Sequence, residues 1–171
     1  MTSSYVGSDD FEAWYTAQRP RLVRALVALS HDRDAAGEAT DEAFVRAFGR
    51  WSRVRQMASP GGWLYRVALN ELRSRSRARA EEQRRWARRD SGATATWQPE
   101  TDRELWDAVA RLPQRQRTAI VLRYVADLPE ADIAAAMHIG RGTVASTLSD
   151  ARHALERTLS VVRASTEPGG T

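Results

Sequence analysis

The 171-residue chain has no cysteine, which excludes a disulfide framework and any thiolate metal site. It has no lysine either, so arginine supplies every side-chain cation other than histidine. The histidines His31, His138 and His153 fall at no metal-ligand spacing, and HExxH is absent. No apolar run approaches the roughly 20 residues that span a bilayer. The opening stretch MTSSYVGSDDFEAW lacks a basic n-region and an apolar h-region, so no secretory signal is expected and a soluble cytoplasmic protein is. GxSxG, a Walker-type glycine loop and a dinucleotide fingerprint are also missing. The acids Asp9-Asp10 and Asp41-Glu42 are adjacent, and neighbours in sequence point apart on a helix. Neither catalytic residues, a cofactor nor a metal is expected.

What is present reads as helix throughout. Phe11, Trp14, Leu22, Leu26 and Leu29 outline one apolar stripe, with Pro20 marking a kink or break. Ala35, Ala39, Ala43, Phe44, Ala47, Phe48 and Trp51 outline a second. Ser59 is placed to cap a third helix with Pro60 at its first position, running through Trp63, Leu64, Val67, Ala68 and Leu72. Gly61 and Gly62 weaken its first turn. The stripes would bury against one another as a small bundle. Residues 86–100, WARRDSGATATWQPE, lose the periodicity and read as a linker. Thr101-x-x-Glu104 is a capping box that opens a second domain. The expected organisation is all-α: a disordered N-terminus over 1–10, a helical domain over 11–85, a flexible linker over 86–101, a second helical domain over 102–160 and a disordered tail over 161–171.

The second domain carries the most specific pattern. Pro113 and Pro129 stand where helices can begin, because a missing N–H costs nothing at the first helical position. Ile133, Ala134 and Met137 mark one face of a short helix, and Val144, Leu148, Ala151 and Leu155 one face of a longer one. Between them, His138-Ile139-Gly140-Arg141-Gly142 leaves room only for a sharp turn, for which glycine supplies the unusual backbone angles. Such a pair is a helix-turn-helix, whose second helix can lie in the DNA major groove.

The same segment carries a resemblance, through Leu112, Pro113 and Arg117, then Leu122-Arg123-Tyr124, then Leu128, Pro129, Asp132, Ile133, Ala134 and Met137, then Gly142-Thr143-Val144 and Ser146. It resembles the promoter-binding domain of the extracytoplasmic-function (ECF) RNA polymerase sigma factors of the sigma-70 family. The first half agrees: Phe11 to Arg24 resembles the opening helix of the core-binding domain, Ala36 to Trp51 the next, and Trp63, Leu64, Tyr65, Arg66, Ala68 and Asn70 match the family's WLYRxAxN element. The resemblance covers about residues 11–80 and 102–160. It implies a dissociable promoter-specificity subunit that binds core RNA polymerase through the clamp of the largest subunit and the flap of the second largest, and that binds promoter DNA. Sigma factors of this size are commonly held inactive by a dedicated anti-sigma protein, which adds a protein partner to what the resemblance implies.

The resemblance also implies sites. Glu38, Asp41, Glu42, Val45 and Phe48 fall on the segment that meets the clamp, although Gly37 stands where an acid is usual and Asp41 where glutamine is. Arg53, Arg55, Trp63, Arg66, Asn70, Arg73 and Arg77 fall on the −10 surface, with the pocket for a flipped base at Asn70 and the loop Arg53 to Pro60. Capturing such a base takes an aromatic pocket, a polar reader and cations for the freed backbone, which Trp51, Trp63 and Tyr65, Asn70, and the arginines supply. Arg141, Thr143, Ala145, Ser146, Ser149 and Arg152 fall on the −35 surface. Here the chain departs from the family, which usually has basic residues at the positions of Ala145 and Asp150.

Charge is unevenly spread within the net +4. Residues 11–77 hold twelve arginines against seven acids, whereas residues 102–157 hold eight of each. The surplus therefore sits in the first domain, where Arg73, Arg75, Arg77 and Arg79 form a cluster suited to phosphates. The alternative to a sigma factor is a stand-alone helix-turn-helix regulator, which would bind closed duplex as a symmetric dimer and need no polymerase.

Overall fold

The computed structural model describes residues 6–86 and 103–166, with side chains over 9–82 and 103–161. Eight helices are present among them: α1 Val6–Ser30, α2 Arg33–Phe48, α3 Trp51–Val54, α4 Pro60–Trp86, α5 Arg103–Arg111, α6 Gln114–Tyr124, α7 Glu130–Met137 and α8 Arg141–Thr166. Helix α1 begins before the expected Phe11 and runs on through Pro20. Helix α8 likewise continues past 161, so part of each expected disordered end is helical. Of the linker tryptophans Trp86 ends α4, while Trp97, Thr101 of the capping box and the last five residues lie outside the described residues.

Helix starts follow the local chemistry. Asp32 takes an extended conformation and its Oδ1 accepts from the Ala35 N–H at 2.9 Å, capping α2. Ser59 Oγ accepts from the Gly62 N–H at 3.0 Å, capping α4 as expected. Pro113 and Pro129 sit one residue earlier than anticipated, as the caps themselves. Their carbonyls accept the first helical bonds, from Arg117 N–H at 2.9 Å and Ile133 N–H at 3.0 Å.

The first unit packs α1, α2 and α4 together. Leu22, Leu26, Leu64, Tyr65, Ala68 and Phe44 are buried there, and the small residues Ala35, Ala36, Ala39, Ala43 and Ala47 let α2 approach its neighbours closely. In the second unit Ile133, Val144, Leu148 and Ala151 are buried, with Met137 and Leu155 half-buried against them. The expected apolar faces of the helix-turn-helix are therefore the ones that form its core.

The two units, expected as helical domains joined by a linker, pack against each other. Helix α7 lies across the start of α4, and α6 touches α1. Ser59 Oγ donates to Asp132 Oδ1 at 2.6 Å. A Cβ added at Gly62 would come within 2.6 Å of Ala135 Cβ and 2.8 Å of the Asp132 carbonyl oxygen. Gly62, read from sequence only as a weakness in the helix, is what lets α7 come this close.

The turn of the helix-turn-helix is built differently from expectation. No described glycine has a positive φ; His138 takes the left-handed conformation, at φ 56° and ψ 49°. It ends α7 by donating its N–H to the Ala134 carbonyl, which also accepts from Ile139 N–H at 3.1 Å. His31 and Asp127 are left-handed too, just after α1 and α6. A left-handed conformation costs an L-residue about 1–2 kcal/mol, against a smaller entropic cost for glycine in the unfolded chain. His138→Gly should therefore raise stability by about 0.5–1 kcal/mol, read as a higher urea midpoint at unchanged slope.

Candidate nucleic-acid and polymerase interface

Helix α2 turns two kinds of residue outward. Phe44 is 4% exposed and packs into the bundle, whereas Phe48, one turn on, is 63% exposed and Val45 67%. Phe48 is the rim of an aromatic cluster: its ring centroid lies 5.0 Å from that of Phe11, and Phe11 and Trp14 lie 5.2 and 4.9 Å from Trp51. The acids beside this apolar rim all have partners. Asp41 pairs with Arg19 at 3.3 Å, Glu42 with Arg46 at 2.8 Å, and Glu38 with Arg75. Glu42, expected to meet the clamp, is thus held by its own helix. Such exposed pairs contribute little to stability and exchange readily for a stronger cation.

The arginine cluster of α4 divides into two faces. Arg75 pairs with Glu71 at 3.1 Å as well as with Glu38, and Arg79 pairs with Asp32. Those two are neutralised within the fold, contrary to the expectation of a single DNA-facing cluster. Arg73 and Arg77 lie on the other face, exposed, and edge a groove of about 520 Å³ with Leu29, Leu69, Leu72 and Arg117.

The aromatic part of the expected capture surface also divides. Tyr65 is completely buried, and burial raises its phenol pKa well above the usual value despite Arg21 and Arg24 nearby. A base cannot stack on it. Trp51 is committed to the α1–α2–α3 aromatic cluster, leaving Trp63, half-buried against the core, as the one of the three expected aromatics that is neither fully buried nor in that cluster. Asn70 is exposed, and its Oδ1 accepts weakly from Arg73 at 3.5 Å. Asn70, expected as the polar reader, is therefore on the solvent side. Arg53 and Arg55 are exposed around α3, Arg55 pairing loosely with Asp10 at 3.5 Å, and Arg66 is half-buried.

Helix α8 presents Arg141, Thr143, Ala145, Ser146 and Arg152 to solvent and Ser149 partly so. Ser146 Oγ donates to the Thr143 carbonyl at 3.1 Å and Arg152 Nε to the Leu148 carbonyl at 3.3 Å. Asp150 is exposed and makes no ion pair among the described residues. Its charge is thus turned outward on the helix that carries the expected DNA contacts.

One surface was not legible in the sequence. Leu105, Val109, Tyr124, Val125, Leu155 and Leu159, from α5, α6 and α8, line an apolar groove of about 500 Å³ on the second unit. Tyr124 is largely exposed although it belongs to the quoted LRY motif; only the packing of three helices reveals the groove. No described helix is long and apolar enough to cross a membrane.

Comparison with known proteins agrees with this arrangement. Residues 14–82 match the family "Sigma-70 region 2" and residues 102–155 the family "Sigma-70, region 4". An RNA polymerase sigma-E factor of Streptomyces avermitilis is 30% identical over 141 residues, covering 81% of this chain and 79% of that protein. An RNA polymerase sigma-H factor of Pseudomonas aeruginosa is 28% identical over 155 residues, covering 81% and 80%. In fold, the chain is similar to the sigma factor RpoE of Bartonella quintana, solved with the anti-sigma factor NepR, at a TM-score of 0.72, 24% identity and coverage of 89% and 98%. It is also similar to CnrH, solved with the cytosolic domain of CnrY, at a TM-score of 0.62, 19% identity and 90% coverage of each chain. A stand-alone helix-turn-helix regulator is not favoured, because the entire first unit matches the other conserved region of a sigma factor. With both regions present in order, the chain belongs to the ECF sigma factors of the sigma-70 family and is an RNA polymerase sigma factor.

Proposed function

We propose that the unit over residues 11–85 binds core polymerase and opens the −10 element, and that the unit over 102–160 reads the −35 element. The observation that carries this is the division of the first unit into an exposed apolar and acidic face on α2 and a separate face on α4 bearing Asn70, Trp63 and free arginines. Promoter opening by a bound subunit needs both faces on one rigid body. Val45 and Phe48 meet the clamp, while Glu38, Asp41 and Glu42 exchange their internal partners for its basic residues. The apolar groove between α5, α6 and α8 receives the flap. Its place of work is then the cytoplasm, where the chromosome is.

On α4, Asn70 reads the edge of a base that has left the stack. Trp63 supports it, and Arg53, Arg55, Arg66, Arg73 and Arg77 hold the freed backbone. On α8, Arg141, Thr143, Ala145, Ser146, Ser149 and Arg152 face the −35 duplex, most through short polar groups. With no net charge on this unit and Asp150 turned outward, its hold on duplex DNA is weak, and polymerase supplies most of the positioning. Of the two solved structures of similar fold, one is a sigma factor in complex with an anti-sigma factor and the other is CnrH in complex with the cytosolic domain of CnrY. A protein of the anti-sigma class is the natural inhibitor for this chain too.

Three substitutions test the assignments. Asn70→Ala should leave core binding unchanged and reduce permanganate-detected melting by roughly tenfold, the size of a lost base-edge contact; equal melting would remove Asn70 from the pocket. Val45→Arg should weaken core binding by roughly tenfold, as for a buried apolar contact at an interface centre. Stability should meanwhile stay within about 0.5 kcal/mol, as for an exposed site; unchanged affinity would place the clamp elsewhere. Asp150→Arg should tighten duplex binding by the full chain with its core polymerase and steepen the salt dependence by about one counterion. Because Asp150 makes no ion pair among the described residues, thermal stability should not fall. Unchanged affinity at two salt concentrations would show that Asp150 does not face phosphate.

A further inference from the structure

We propose that the groove between α1, α4 and α6 is a binding site for a nucleoside polyphosphate. It encloses about 520 Å³, a size typical of small-molecule sites, which span about 300–1,000 Å³. Every charged side chain that lines it is an arginine: Arg73 and Arg77 from α4, and Arg117 from α6. Spacing by four brings Arg73 and Arg77 to one face of their helix, one turn apart. Arg75 and Arg79 of the same helix are neutralised by Glu71, Glu38 and Asp32. No acid lines the groove among the described residues. Like charges gathered at one cavity repel one another, and a multiply charged anion turns that repulsion into attraction.

The three arginines also have donors to spare. Arg77 makes no ion pair among the described residues. Arg73 makes none either, and meets Asn70 Oδ1 at 3.5 Å. Arg117 donates from one Nη to the Leu112 carbonyl at 3.2 Å, while its Nε is buried with no acceptor. A guanidinium carries five N–H donors in a planar fork that fits phosphate oxygens two at a time. Arg73, Arg77 and Arg117 therefore take the phosphates. Leu29, Leu69 and Leu72 supply an apolar wall in the same groove, against which a planar base leaves water. Inorganic phosphate would use the cations and leave that wall bare, so the whole groove fits a ligand with both parts.

Isothermal titration calorimetry on the full chain, without DNA, polymerase or magnesium, tests this with ATP as the probe. Salt is held at about 0.15 M, which screens loose surface attraction beyond about 8 Å. ATP should bind at one site with a Kd on the order of 10–100 μM, and adenosine should show no heat over the same range. Tripolyphosphate, which has the charge without the ring, should bind roughly tenfold more weakly, the worth of about 55 Å² of apolar surface. Gln114 is exposed at the start of α6 and lines the groove. Gln114→Glu puts a carboxylate there at a helix end that favours negative charge, so thermal stability should not fall. It should weaken ATP by at least about tenfold, as should Arg77→Gln at its exposed position. Absence of ATP binding would overturn the site, as would binding indifferent to either substitution or equal affinity for ATP and one of its halves. Oligothymidylate that bound more tightly than ATP, and was weakened equally by Gln114→Glu, would make the groove a track for single strands and overturn the nucleotide. The free protein is what is titrated, so either result leaves the promoter-opening reading to be judged on melting.

Discussion

The structure turns on helix α4, because one helix must serve three neighbours at once. Its buried face, Leu64, Tyr65, Ala68, Leu69 and Leu72, holds α1 and α2 together. Its first turn receives α7. Its outer face carries Asn70, Arg73 and Arg77 into solvent. A helix repeats every 3.6 residues, so these duties can coexist on one element without competing for the same positions. Trp63, half-buried, packs its inner side against the core beside these faces.

Charge is arranged on the same plan. Arg75 and Arg79, spaced by four, bind Glu71, Glu38 and Asp32 and tie α4 to α2. Arg73 and Arg77, also spaced by four, point elsewhere and keep their charge for a ligand. A basic surplus counted along the sequence overstates what DNA can meet, since half of this cluster is consumed internally. The second unit is neutral overall and turns Asp150 outward, so its own charge offers little general attraction to a phosphate backbone.

Much of this was legible in the sequence because it depends on local periodicity. The apolar spacing at Ile133, Val144, Leu148 and Ala151 foretold the helix-turn-helix core, and Ser59-Pro60 foretold the start of α4. Phe44 and Phe48 read as members of one apolar stripe, yet the bundle buries the first and leaves the second exposed. What failed depended on neighbours distant in sequence. Tyr65 looks like a candidate for stacking until the bundle closes over it. Arg75, Arg79 and Glu42 look free until partners on the same or another helix are placed. Glycine seemed the natural author of the turn after α7, yet His138 takes the left-handed conformation, and the glycine with a demanding role is Gly62, 73 residues from Ala135. Packing of the two units against each other left no periodic trace at all.

The most direct test of the central claim, that this chain directs polymerase to promoters through two linked reading units, is to sequence the 5′ ends of transcripts made on genomic DNA by core polymerase with and without it. The account expects a set of new start sites that appear only with the protein and share two upstream elements at one fixed spacing. A transcript map identical to that of core polymerase alone, or new starts sharing no paired elements, would contradict it.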